Sequence, residues 1–158
     1  MAILERITRN IDNRYWNPGP EYFPVRNKYT TGVAGQRFFE ELKENGKLMG
    51  TTCSKCNITF VPGRLYCERC FARLEEWTDA GTEGTVYSFT LVHKTKSGEI
   101  KDPPSVVAAI KIADGLLFHH LGECEVDQIY IGLPVKAVLK TKAERKGGIE
   151  DIKYFMPF

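Results

Sequence analysis

Cys53-Ser-Lys-Cys56 and Cys67-Glu-Arg-Cys70, with the ten residues Asn57-Ile-Thr-Phe-Val-Pro-Gly-Arg-Leu-Tyr66 between them, decide how the first half of this chain folds. Each C-x-x-C can turn as a tight knuckle that aims two thiolates at one point. Two knuckles face to face close a tetrahedral four-thiolate site with no open position, the arrangement of structural zinc. The stretch between them is long enough for a short hairpin. A closed site dictates how its segment folds and offers no metal-bound water for chemistry.

Other uses of these cysteines fit less well. Paired disulfides belong to oxidising compartments and small secreted chains, whereas Met1-Ala-Ile-Leu-Glu-Arg6 lacks the apolar run of a secretory signal. A redox pair would account for one C-x-x-C and leave the other unexplained. Mononuclear iron of the rubredoxin type accepts the same four thiolates and stays open as an alternative. Such knuckles want a left-handed residue directly after the second cysteine. Asn57 suits that position, and Phe71 fits it less easily. Cys124 stands alone and reads as a small buried apolar residue.

The 158 residues are enough for one ordinary domain or two small ones. At 42% hydrophobic and 27% charged the composition is that of a soluble globular chain. No apolar stretch approaches the roughly 20 residues of a membrane span. A formal net charge of +2 counts against a dedicated nucleic-acid binder, which is usually strongly basic. Reduced cysteines without an export signal point to the cytoplasm.

Four segments follow from the pattern. Residues 1–31 read as an extended N-terminal arm: a short helical start (Ile3, Leu4, Ile7, Ile11) leads into a stretch carrying Tyr15, Trp16, Tyr22 and Phe23 among Pro18, Pro20 and Pro24. That density of proline excludes regular helix and central strand. Such an arm either wraps its own domain or lies on a partner, where Tyr and Trp are favoured contacts. Residues 32–47 hold a helix, at roughly 35–45, with Phe38 and Leu42 on one face and Gly46 as its stop. Residues 48–78 form the zinc ribbon. Residues 79–158 turn to β: Thr85–His93 with Tyr87, Phe89, Leu91 and His93 on one face, a loop over Lys96–Pro104, a central strand Val106–Ile112, an Asp114-Gly115 hairpin, Leu116–Leu121, Pro134–Thr141 and Ile152–Phe155. Short strands bounded by turns suggest a small closed barrel, the OB-fold first among them, ending in an aromatic C-terminal tail.

Several residues now stand in a recognisable order: the helix Phe38-Phe-Glu-Glu-Leu42, the four cysteines, Phe60-Val-Pro62 with Arg64, Trp77, Gly84-Thr-Val-Tyr-Ser-Phe89 with Val92-His93, and Gly132-Leu-Pro-Val135. From about 36 to 141 this resembles the family of acyl-CoA-associated proteins that joins a rubredoxin-like zinc ribbon to an OB-fold. The resemblance implies a mainly β fold with N-terminal helices. It also implies a role as the small, non-catalytic partner of a thiolase or acyl-CoA hydratase, completing a CoA-ester site whose catalytic groups lie on the large subunit. The arm and the tail Tyr154-Phe-Met-Pro-Phe158 resemble thiolase small subunits of aromatic-compound degradation. Phe71, in place of the commoner glycine, departs from the pattern.

CoA is polyanionic and carries an adenine, so a contributing surface needs cations beside flat apolar groups. Lys55, Arg64 and Arg69 on the ribbon, with His93 and Lys94 on the barrel, are the candidates. The plainer alternative is that they are solvated surface charges. Tyr15, Trp16, Tyr22, Phe23, Phe155 and Phe158 are candidate contacts to a thiolase-like large subunit. His119 and His120, adjacent on a strand, are expected on opposite faces and hence not in one site. An alternative of another class is a single-stranded nucleic-acid module, in which Tyr87 and Phe89 would stack bases.

Overall fold

The structure is a computed structural model that describes residues 15–16, 27–28, 30–95 and 98–158. The helical start at Ile3–Ile11 and the candidates Tyr22 and Phe23 lie outside the described residues. For Tyr15 and Trp16 only the backbone is described. Two short strands, β1 (Tyr15–Trp16) and β2 (Asn27–Lys28), pair antiparallel with Tyr15 opposite Lys28.

Helix α1 (Gly32–Asn45) begins earlier than its apolar stripe predicts and ends at Gly46, whose φ of 66° is the left-handed stop expected of that glycine. Phe38 and Leu42 are fully buried and join the barrel core with Leu48. The last carbonyls of the helix face a cation from the far end of the chain. The Arg145 guanidinium donates to the carbonyls of Leu42 and Lys43 at 3.5 and 3.4 Å and to that of Lys140 at 2.9 Å. Positive charge at a helix C-terminus is stabilising.

The ribbon is a three-stranded antiparallel sheet, β3 (Met49–Cys53) flanked by β4 (Ile58–Phe60) and β5 (Glu76–Asp79). Its central Thr51 is fully buried, and its hydroxyl both donates to the Arg64 carbonyl and accepts from the Arg64 N–H, at 3.0 and 2.8 Å. The buried apolar residues of the ribbon proper are Cys53, Phe60, Cys67 and Leu74. Half of that core is therefore thiol.

Five strands then close a barrel in the order β10-β8-β7-β6-β9, an OB-fold: β6 (Glu83–Lys94), β7 (Ile100–Ile112), β8 (Gly115–Leu121), β9 (Pro134–Leu139) and β10 (Ile152–Pro157). Val106–Ile112 is central as its two-sided apolar character predicts, lying between β6 and β8. The strand starts earlier than expected, at Ile100 opposite Lys94, inside what the sequence suggests is a loop. Pro103 and Pro104 fall where the register shifts between Val92 and Lys94, so the ladder does not require their missing N–H groups. A second bulge, between Val86 and Ser88, leaves Tyr87 without a cross-strand partner. Val86 is buried opposite Ile110 and Leu91 packs partly against the core opposite Val106, whereas Phe89, opposite Ala108, stays exposed. Tyr87 does not share the face of Leu91 as strict alternation would have it.

The loop before β10 is held by one carboxylate. Asp151 is 1% exposed and accepts from the N–H groups of Lys146, Gly147 and Gly148 at 2.8, 2.7 and 3.3 Å. Asp151→Ala strands these donors, each unmet buried group costing about 1–3 kcal/mol. We expect urea unfolding to report a loss of about 3 kcal/mol or more. A change within about 0.5 kcal/mol, as for ordinary surface substitutions, would show that water replaces the carboxylate freely.

Candidate metal centre and barrel seam

The two knuckles close in the same way. The N–H of Asn57 donates to the Cys53 carbonyl at 2.8 Å and that of Phe71 to the Cys67 carbonyl at 3.0 Å. Asn57 and Phe71 adopt φ of 52° and 55°. Phe71 thus takes the left-handed position that glycine would occupy without strain, at a cost of about 1–2 kcal/mol. Its ring is 80% exposed, so burial of the ring within this chain does not offset that cost.

The closure brings the sulfur atoms of Cys53, Cys56, Cys67 and Cys70 within 4.8 Å of one another. Cys53 and Cys70 sulfurs stand 3.6 Å apart, and those of Cys67 and Cys56 3.9 Å. A tetrahedron with metal–sulfur bonds of ~2.3 Å has edges of ~3.8 Å, so the sulfurs are spaced for one tetrahedral ion and too far apart for disulfides. The donor set can hold a metal ion. Without one the thiols hold their protons unequally. The Cys70 and Arg69 backbone N–H groups, with the neighbouring thiols, draw Cys67 down to about 7. Hydrogen bonding to Cys70 and burial push Cys56 up to about 12. Metal uptake at neutral pH therefore displaces protons, that of Cys56 above all. The Arg69 N–H points to the Cys67 sulfur at 3.4 Å, the kind of outer contact that orients a thiolate ligand.

The sequence-derived cations do not converge on one spot. Lys55 and Arg69 occupy the third position of each knuckle and are exposed. Arg64 lies over the Phe60 ring at 5.0 Å and is ion-paired with Glu68. His93 and Lys94, also exposed, stand at the far end of β6, up to about 30 Å along the strand from its ribbon-proximal start. Phe158 is 65% exposed, but Phe155 is fully buried in the barrel core. The expectation of Phe155 as a contact residue is therefore corrected: a register shift between Ile152 and Tyr154 turns Ile152 and Phe155 inward together. Cys124 packs partly against the core, and burial followed by Glu125 raises its thiol, the opposite of what a thiolate nucleophile requires.

A second correction concerns His119 and His120. They do leave opposite faces of β8, yet both line one cavity of about 600 Å³. β8 and β10 run parallel and meet only at Leu121 and Phe155, so the barrel is splayed below that point. Side chains from the inner and outer faces of β8 reach the same gap at this open seam. The His119 ring lies 5.9 Å from that of Phe155, and its Nδ1 is buried without a hydrogen-bond partner. Burial lowers its pKa from the usual histidine range, against the opposing effect of the Ile149 carbonyl. Among the described residues no helix is long and apolar enough to cross a membrane.

With this geometry in hand, known proteins give a consistent picture. The domain family described as ChsH2, C-terminal OB-fold domain, matches residues 77–140. A DUF35 domain-containing scaffold protein of Methanocaldococcus jannaschii is 29% identical over 106 residues, 66% of this chain and 75% of that protein. The crystal structure of a DUF35 family protein of unknown function from Sulfolobus solfataricus matches with TM-score 0.60 at 33% identity, over 68% of this chain and 79% of that one. The Ltp2-ChsH2(DUF35) aldolase matches with TM-score 0.58 at 23% identity, over 82% of this chain and 98% of that one, a likeness of fold.

Proposed function

The chain belongs to the DUF35 family, and we propose from that premise that it is the non-catalytic, zinc-binding small subunit of a CoA-thiolase (acyl-CoA:CoA acyltransferase) complex. It would complete the assembly and the CoA-ester site, in the degradation of aromatic compounds. The observation that carries a partner is the second knuckle. Phe71 is held at a strained φ with its ring 80% exposed, beside Tyr66 at 58% and Leu65 at 37%. Exposed apolar surface of this kind marks protein contacts, and backbone strain gathers where function requires it. The Methanocaldococcus jannaschii relative, described as a scaffold protein, fits the same role.

In this reading zinc fills the four-cysteine site and acts through folding alone, because every position is taken by protein sulfur. Lys55 and Arg69, one on each knuckle and neither in an ion pair with a described carboxylate, supply cations for CoA phosphates. His93, Lys94 and Arg64 are secondary contacts. The arm with Tyr15, Trp16, Tyr22 and Phe23, together with Phe158, lies on the large subunit.

Co-purification from the native host, with mass spectrometry and a zinc count on the same sample, tests the proposal. A stoichiometric thiolase-like partner, about one zinc per chain, and thiolysis activity confined to the complex are expected. Deleting residues 1–31 should weaken partner binding by roughly tenfold or more while the barrel stays folded. Recovery with nucleic acid and no enzyme, or red iron-loaded protein, would overturn the assignment.

A further inference from the structure

Independently of the subunit role, we propose that the seam between β8 and β10 is a binding site for a small amphipathic carboxylate, with an aromatic or branched apolar body and one anionic group. Its cavity of about 600 Å³ lies within the range of small-molecule sites. The walls divide by chemistry. Val107, Phe118, Ile149 and Ile152 supply an apolar cleft, and Phe118 is 69% exposed, a large aromatic face open to a ligand.

Charge comes from the end of β9 and from β10, beside Ile149 and Ile152. Lys140 and Lys153 line the cavity, and neither forms an ion pair with a described carboxylate. Glu144, which both lysines influence electrostatically, already accepts from the Thr141 N–H and hydroxyl at 3.1 and 2.7 Å. Glu150 also lines the cavity and acts electrostatically on His119. Lys140 and Lys153 give the wall cations for an anionic group, which sets the sign of the expected ligand charge. His120 adds a polar ring at the mouth, and His119 carries the orphaned Nδ1. An apolar cleft with a few convergent polar groups is the usual form of a small-molecule site. The open seam is itself a result of the fold, since β8 and β10 pair at one position only.

Hydrocinnamate, with its uncharged amide hydrocinnamide as the matched control, is a suitable probe for the full chain followed by amide-resolved NMR titration. Saturable shifts centred on residues 117–120 and 149–153 are expected with hydrocinnamate, and roughly threefold to tenfold weaker binding of the amide. Lys153→Met, an exposed change on β10, should remove most of that difference and leave the spectrum elsewhere unchanged. Equal affinity for acid and amide, shifts away from the seam, or none at millimolar probe would overturn the proposal. So would displacement of the probe by CoA with matching shifts on the ribbon, which would make the seam part of the CoA-ester site and leave the subunit role standing.

Discussion

Cys67→Ser is expected to release the metal, unfold β3–β5 and abolish assembly with a large subunit. The size of the effect follows from how little else holds the ribbon. Cys53, Phe60, Cys67 and Leu74 make up its own buried cluster, two of them cysteines of the candidate metal site, while Leu48 and Val61 pack into the barrel core instead. Full burial of a large apolar side chain contributes about 1.5–3 kcal/mol, while ordering each backbone residue costs about 1–2 kcal/mol. Phe60 and Leu74, even with Leu48 and Val61 seated in the barrel core, cannot offset the ordering of residues 48–78. A structural zinc binds with an apparent 10–16 kcal/mol, a term of the right size, and a serine hydroxyl at neutral pH does not replace a thiolate. Metal content, amide exchange across residues 49–79 and co-elution with the partner give three readouts. Cys124→Ser, outside the cluster, should leave all three unchanged. A Cys67→Ser protein that stays folded, metal-free and fully competent in assembly would falsify the structural role of the metal.

Local chemistry was legible where a residue type has one use. Paired C-x-x-C, the helix stop at Gly46 and the two-sided apolar run of β7 each act through their own neighbours, and each stands where the pattern puts it. What the pattern could not reveal depends on closure of the barrel. A bulge at Tyr87 and a register shift before Phe155 change which residues face inward, and neither Gly nor Pro marks them. Phe155 resembles an exposed aromatic tail only until β10 is seen to complete the sheet. His119 and His120 fall on opposite faces by the period of a strand, yet the edge of β8 left unpaired toward β10 lets them share a cavity. Phe71 accepts a backbone conformation that its side chain disfavours, because two opposed knuckles leave the chain no other turn. The seam, its lysines and its cavity had no sequence signal, since they converge from β7, β8, β10 and the loop between β9 and β10.

Gly115→Ala is expected to be the most damaging single-methyl change outside the metal centre, because it separates ribbon from barrel. The sequence points to Gly115 as a turn residue. The turn between β7 and β8 is instead made by Ala113 and Asp114, with Ala113 at φ 50° and Ile112 paired to Gly115. Glycine is required at 115 for contact. A Cβ there would lie 2.2 Å from the Val61 carbonyl oxygen, 2.3 Å from its nitrogen and 2.8 Å from its Cα. All three are backbone atoms, so no side-chain rotation relieves the overlap, and the chain after β4 must move by about 1 Å or more to reach ordinary contact. Beside this contact the Asp114 N–H donates to the Thr59 carbonyl at 3.1 Å, and the Thr59 N–H donates to the Asp114 carboxylate at 3.0 Å. Displacement of Val61 breaks this reciprocal pair and withdraws Val61 from the barrel core. Overpacking a closed contact costs about 1–3 kcal/mol and each lost hydrogen bond about 1 kcal/mol, so a loss of about 3–5 kcal/mol is expected. Asp114→Ala, which removes the carboxylate acceptor alone, should cost about 1–2 kcal/mol. Thermal unfolding ranks the two, and faster amide exchange at Thr59 and Asp114 places the damage at the joint. Gly115→Ala with a change below about 0.5 kcal/mol would mean that ribbon and barrel are not seated on each other. If they are, the joint fixes the exposed second knuckle relative to the barrel, and a large subunit of the kind proposed would meet both as one rigid surface.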